Sequence, residues 1–516
     1  MTGPAGAGSS ARTDPAGEHP AAVAAVDPER LAVVMAGTGA TRTYGELDEA
    51  SRRLALVLRD RGLRAGDHLA VLLANQPEFF EAVWAGLRSG LYVTPINWHI
   101  KPEETRYIIE DCGASALVAD ADLAASIGGA GRLAGVNTRL VTGGGTDGFE
   151  PYQPVVAGRE LEPVPDECEG QWMFYSSATT GRPKGIVPAA AGGPLGAPSG
   201  FTQMLSGLFG FGADTVYLSP APLYHAAPAG WTTGTQRLGG TVVVMERFDP
   251  IELLAAVERH RVTHLQVVPT HLIRLLKLPP HDRERFDLSS LRFVVHAAAP
   301  CPPEVKAAAL DWLGPIIHEY YAGSEGNGFC HIGPEDWLAH PGSVGKSLLG
   351  AVHIVGDDGQ ELPPGEVGEV WFESPRRFAY HGDAEKTAAA WDDRGWSTIG
   401  DIGHLDPDGY LYLTDRAANM IISGGVNIYP RQIEDLLVGH PAILDVAVIG
   451  TPDPDLGEQV TAFVQPAAGV DRQGLPEQLI GYCQDHLAHF QCPRSVRLVD
   501  SLPRLPTGKL LKRLLV

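Results

Sequence analysis

The segment Tyr175-Ser-Ser-Ala-Thr-Thr-Gly-Arg-Pro-Lys-Gly185 crowds hydroxyls and small residues into a tight loop that ends beside a lysine. Backbone amides in such a turn form a concavity for anions. The hydroxyls of Ser176, Ser177, Thr179 and Thr180 add donors next to Gly181, and Lys184 adds a point charge. That combination suits a triphosphate. The residue order differs from the Gly-x-x-x-x-Gly-Lys-[Ser/Thr] loop of the common nucleoside triphosphatases, so their fold is not implied. A flexible surface loop is the plainer alternative, and chemistry elsewhere in the chain must decide between the two.

The elements able to position such a loop follow from hydrophobic periodicity. Thr43 and Glu46 have capping-box spacing ahead of apolar Leu47, Ala50, Leu54 and Leu58, which predicts an amphipathic helix stopping at Gly62. The run Leu69–Leu73, the helical stretch Pro77–Leu87 and the short runs Tyr92–Pro95 and Ala116–Val118 alternate strand with helix, the pattern of an α/β sheet. Leu265–Val268 and Phe293–Val295 read as further buried strands, and Val367–Trp371 as part of an antiparallel sheet. After Arg416 the units shorten to a helix at Pro430–Val438, strands at Val446–Ile449 and Thr461–Val464, and a helix at Pro476–Leu487. These make a small α+β domain.

Composition narrows the class. A chain of 516 residues, 44% of them hydrophobic, can build a sizeable core and more than one domain. Its net charge of −22 argues against a nucleic-acid footprint and repels anionic membrane surfaces, so anionic substrates must be captured by local cations. No apolar run approaches the roughly 20 residues of a membrane span. Residues 1–25, rich in Ala, Gly, Pro and Ser, lack the features of a secretory signal and are expected to form a disordered tail. Six scattered cysteines show neither metal-type pairing nor a disulfide framework, in keeping with reduced thiols and a cytoplasmic location.

The loop at 175–185 resembles the phosphate-loop signature of the adenylate-forming superfamily, which includes acyl-CoA synthetases, luciferases and peptide-synthetase adenylation domains. Further segments follow in that superfamily's order: Glu319-Tyr-Tyr-Ala-Gly-Ser-Glu325-Gly326, Thr398-Ile-Gly-Asp401, Asp415-Arg416, Ser423-Gly-Gly-Val-Asn-Ile-Tyr-Pro430 and Leu505-Pro-Thr-Gly-Lys509. The resemblance runs from about residue 40 to the end. It implies a large N-terminal α/β adenylation domain at 26–415, a hinge at 416–418 and a mobile α+β domain at 419–516. It also implies ATP-dependent activation of an aromatic or medium-chain carboxylic acid to an acyl-AMP, followed by thioester formation with coenzyme A. Family members with other acceptors or activated groups form amides, load carrier proteins or activate nitrite, and the sequence leaves these open. A homodimer is likewise left open.

Site roles carried over by the resemblance match the chemistry of each residue type. Attack on the α-phosphorus builds negative charge that Lys184 and Lys509 would offset. Glu325 would hold magnesium, a hard cation served by carboxylate, phosphate and water oxygens. Asp401 would accept from the ribose hydroxyls, with Arg416 and Ser324 near the nucleotide and adenine against His296, Ala297, Ala298, Ala299, Tyr320 and Tyr321. The acid pocket is expected among Tyr224, His225, Trp231, His296, Ala297, Ala322 and Gly323, with His225 as a gate toward the thiol. The Gly424-Gly425 loop is expected to meet the pantetheine arm of coenzyme A. The chain has eight lysines against thirty-two arginines, yet lysine occupies both positions where the superfamily uses that side chain. Ala178 replaces a usual glycine, Ala417-Ala418 replaces a charged pivot, and Gln491 stands where relatives often carry lysine.

Overall fold

A computed structural model describes residues 17–176, 182–188, 192–416, 419–424, 426–504 and 510–515. Among the described residues the strands form five sheets. The expected helix is Tyr44–Asp60, and its capping box is complete: the Thr43 side chain accepts from the Glu46 amide while Glu46 accepts from the Thr43 amide. The strand His68–Leu72 pairs in parallel with Tyr92–Pro95 on one side and Ala114–Asp120 on the other, in a six-stranded α/β sheet. The intervening helix Pro77–Arg88 starts on a proline, whose missing N–H is no loss at that position, and fully buries Phe79, Phe80 and Trp84. Each of those side chains contributes roughly 2–3 kcal/mol of apolar burial.

A nine-stranded sheet carries the parallel run Val216–Ser219, His264–Val267, Phe293–His296 and Ile317–Tyr321. Its aromatic core joins that of the first sheet, with Trp84 and Trp231 in one cluster. An antiparallel sheet holds Ala351–Val355, Gly368–Glu373, Ser397–Leu405 and Leu411–Arg416. The C-terminal sheet runs from Ile421–Ser423 to Ser495–Leu498, over a separate core containing Ile433, Leu437, Val448, Val464 and Leu479. One large N-terminal and one small C-terminal domain result. Lys277, just after the helix Pro269–Leu276, crosses between them and donates to the carbonyls of Ile443 at 2.7 Å and Leu444 at 2.9 Å.

Of the disordered tail expected over residues 1–25, residues 1–16 lie outside the described residues, and the last part is helical. Pro20–Val26 form a helix capped by His19, whose ring packs edge-on against Trp84 at 5.0 Å. Its alanines suggest low complexity by composition, but alanine is also the best helix former, and buried Val23 gives the helix an apolar anchor. No described helix is long and apolar enough to cross a membrane.

Burial lowers several histidines inside the nine-stranded sheet and its helices: His264, His318 and His331 to about 4 and His271 to about 3. The unfolded chain binds these protons near pH 6.5 and the native chain does not, so stability is retained above that pH and is lost as pH falls toward 4. His271 alone costs about 3 kcal/mol at pH 4 on this basis. Calorimetric melting between pH 7.5 and pH 4.5 is therefore expected to show a steadily falling midpoint; an unchanged midpoint down to pH 5 would contradict the burial.

Candidate active site

Lys184 opens the strand Lys184–Pro188, the middle of a three-stranded sheet between Phe174–Ser176 and Phe378–Tyr380. Ser176 lies directly opposite Lys184, and the His381 amide extends the pairing by donating to the Gly185 carbonyl at 2.8 Å. Ser177, Thr179, Thr180 and Gly181 fall outside the described residues. The Lys184 ammonium donates to Asp383 Oδ2 at 2.5 Å, and Asp383 Oδ1 caps the next helix by accepting from the Lys386 amide at 2.9 Å. Lys184 holds the Asp383 carboxyl below its usual range.

Further contacts lie along the adjoining segments toward Asp401. Tyr380 donates its hydroxyl to Glu325 Oε1 at 3.0 Å. A Cβ on Gly323 would come within 3.0 Å of Glu325 Oε2 and 2.9 Å of Ile399, so the glycine lets the Glu325 turn and the Ile399–Asp401 strand approach each other. Asp401 is buried and accepts from the Tyr321 hydroxyl at 2.6 Å. Its Cα lies directly opposite that of Arg416 across the antiparallel pair, which explains how two residues fifteen apart come to one place.

Tyr320 and Tyr321 end the strand Ile317–Tyr321 on opposite faces. Tyr321 reaches Asp401, whereas buried Tyr320 accepts from Gln266 Nε2 at 2.8 Å and stacks on Trp231, the centroids 5.7 Å apart. Tyr217 stacks on Trp231 as well, at 6.2 Å. Tyr320 thus joins the wall around Trp231 rather than the side that holds Tyr321. His296 lies on the other face of the sheet from Tyr320. It is registered with Glu319, its Nε2 lies 3.4 Å from Glu319 Oε2, and Lys306 of the helix Pro303–Leu313 binds that same oxygen at 2.7 Å. Strand alternation sends this group to the sheet face opposite Tyr320. The His296 ring is wholly buried there, not open to the pocket.

Ala297 is buried in the core shared with Trp231, Ala299 is half-buried and Ala298 is exposed. Ala322 and Ser324 are exposed on the turn before Glu325, and Gly323 is half-buried. The backbone at Ala298 is left-handed, with φ of +73°. Such a conformation costs an alanine about 1–2 kcal/mol, more than the roughly 0.7 kcal/mol that glycine gives up in extra unfolded-state freedom. Ala298→Gly is accordingly expected to stabilise the fold by about 0.5–1 kcal/mol in denaturant titration. A loss of stability would place the strain elsewhere.

His225 caps the helix Ala226–Arg237, and its ring lies 4.3 Å from that of Tyr224, whose hydroxyl meets His99 Nδ1 at 3.2 Å. Buried Asn75 pins the preceding loop: its Oδ1 accepts from the Leu223 amide at 2.9 Å, and its Nδ2 donates to the carbonyls of Ala221 at 3.1 Å and Met245 at 2.8 Å. In the small domain, Gly424 has a left-handed φ of +58° and donates to the Leu456 carbonyl at 2.9 Å. Gly425 and Lys509 lie outside the described residues. Sequence reasoning missed Asn75, Tyr380, Asp383 and Lys386. Only the helix-cap spacing of Asp383 to Lys386 hinted at any of them.

A large α/β domain followed by a small α+β one carries these motif residues. The chain belongs to the AMP-binding enzyme family, which it matches over residues 20–379, and it matches the AMP-binding enzyme C-terminal domain over residues 432–509. It is therefore a member of the adenylate-forming superfamily. A feruloyl-CoA synthase of an Amycolatopsis species is 34% identical over 96% of this chain and 97% of its own length. A long-chain-fatty-acid–CoA ligase of Mycobacterium tuberculosis is 31% identical, with 95% and 96% covered. Among solved structures, an amide bond synthetase of Marinactinospora thermotolerans superposes with a TM-score of 0.79 at 31% identity, over 95% of this chain and 97% of that one. ATP-dependent acid–CoA ligation, the activity of several relatives, fits the chain.

Proposed function

We infer that this enzyme activates an aromatic or medium-chain carboxylic acid with ATP and passes the acyl group to coenzyme A. The observation that carries the reading is three side-chain pairs, Lys184 with Asp383, Tyr380 with Glu325 and Tyr321 with Asp401, each built on a residue that the family motifs single out. In this reading Lys184 serves the phosphates, Glu325 the magnesium and Asp401 the ribose. A carboxylate oxygen attacks the α-phosphorus, the bond to the bridging oxygen of pyrophosphate breaks, and the electron pair leaves with pyrophosphate. Lys184 and Lys509 offset the charge that develops. Magnesium would supply further neutralisation of the phosphates when bound; Glu325, whose Oε1 accepts from Tyr380, fits it as a hard oxygen donor. The thiol of coenzyme A then attacks the acyl carbonyl, loses its proton, and displaces AMP by breaking the carbonyl–oxygen bond.

The likeness to a feruloyl-CoA synthase supports an aromatic acid. His225, on the cap beside Tyr224, suits a gate between acid and thiol. The hinge at 416–418, a cytoplasmic setting and the absence of a nucleic-acid partner complete the reading, the last supported by the net charge of −22. The likeness to an amide bond synthetase favours a second acceptor class, an amine. Purified enzyme with ATP, magnesium and an acid panel, its products weighed by mass spectrometry with coenzyme A, with amines and with neither, decides between them. A thioester is the expected product. An adenylate that ignores coenzyme A and yields an amide would replace this reading, and no pyrophosphate release with any acid would refute adenylation.

A further inference from the structure

We propose that Lys386 is a second phosphate-binding cation of this reaction, acting on the departing pyrophosphate, and that Asp383 poises both lysines until the triphosphate arrives. The inference rests on the adenylation reading above and adds residues to its phosphate end. The strand Phe378–Tyr380 pairs with the strand that opens on Lys184, so the following turn and helix are fixed beside Lys184 by backbone hydrogen bonds. Asp383 spends one oxygen on the Lys184 ammonium at 2.5 Å and the other on the Lys386 amide at 2.9 Å.

The Lys386 ammonium lies 4.4 Å from the centroid of the Tyr380 ring, and the hydroxyl of that ring donates to Glu325 at 3.0 Å. Lys386 thus stands between the phosphate-loop lysine and the expected magnesium carboxylate. Burial and then repulsion from Lys184 lower its pKa, the signature of two like charges held close. Two ammonium groups gathered around Asp383 and Glu325 gain most from a multiply charged anion. Pyrophosphate is the group in this reaction whose charge grows as the bond to the α-phosphorus breaks. AMP, which lacks the β- and γ-phosphates, gains nothing from Lys386. The plainer role, a half-buried cation–π contact on Tyr380, does not discriminate between nucleotides.

Lys386→Met keeps an apolar stem over Tyr380 and removes only the charge. Calorimetry with magnesium is expected to show affinities for inorganic pyrophosphate and ATP reduced about ten-fold, the loss of one charged hydrogen bond, and an unchanged affinity for AMP. Pyrophosphate exchange slows by a similar factor, while thioester formation from supplied acyl-AMP keeps its rate. Lys386→Arg restores most of the pyrophosphate affinity and serves as the check should the methionine variant melt early. Equal losses for AMP and pyrophosphate, or no loss for pyrophosphate, would overturn the assignment. The affinities are measured without any acid, so a wild type that binds ATP but activates no acid would refute the proposed function and leave this test standing.

Discussion

Replacing Lys509 by alanine is expected to slow acid adenylation by roughly 10²–10³, while thioester formation from a supplied acyl-adenylate stays within a few-fold of normal. An ammonium that binds both the α-phosphate and the attacking carboxylate acts on charge present in the first step alone. It also aligns two anions that otherwise repel each other, so its loss removes orientation as well as charge. Lys509 lies outside the described residues, but the chain on either side of it is anchored. Arg504 binds Asp445 through two nitrogens at 2.6 and 2.7 Å and pairs with Leu510 across an antiparallel bridge, and Lys512 binds Glu434 at 2.9 Å. The substitution should therefore leave the small domain folded. Pyrophosphate exchange measures the first step, and AMP release from synthetic acyl-adenylate the second. Equal losses in both would mean that one arrangement of the domains serves both steps. No loss in either would make Lys509 a solvated tail charge.

Local signals carried most of the fold. The Thr43–Glu46 cap, the strand Tyr92–Pro95 and the helix Pro430–Val438 stand where residue type and spacing place them, because each is specified within its own segment. What was not legible depends on pairing at long range. Lys184 and Asp383 meet because a strand near residue 186 pairs with one near residue 380, and nothing within either segment announces that partner. Strand parity decided two further cases. A single step along a strand separates Tyr320 from Tyr321, and that step sends one to the Trp231 wall and the other to Asp401. The same alternation turns His296 toward Lys306 and Glu319. The left-handed backbone of Ala298 is invisible for another reason: alanine does not advertise it as glycine would.

Asp401→Ala is expected to weaken binding of both ATP and AMP by about 10²-fold, the cost of removing a buried carboxylate proposed to accept two ribose hydrogen bonds. The sign follows from what the carboxylate does in the free enzyme. Asp401 is buried and takes the Tyr321 hydroxyl at 2.6 Å, so its position is set before any nucleotide arrives and little ordering remains to oppose binding. Gly400, with a left-handed φ of +79°, turns the chain so that the carboxylate follows directly on the strand bend. Removing the side chain leaves the Tyr321 hydroxyl without this acceptor and loosens the ring expected against adenine, which adds to the loss. Tyr321→Phe separates the two contributions. It keeps the ring and the carboxylate, removes only the hydroxyl, and should weaken both nucleotides by less than ten-fold, one neutral-to-charged hydrogen bond used for positioning. Because ribose is common to ATP and AMP, the losses for the two nucleotides must be equal, in contrast to a residue that holds the β- and γ-phosphates. Calorimetric titration of each variant with each nucleotide reads this directly. Unchanged AMP affinity in Asp401→Ala would remove the residue from the ribose site, and a loss confined to ATP would move it to the phosphate end.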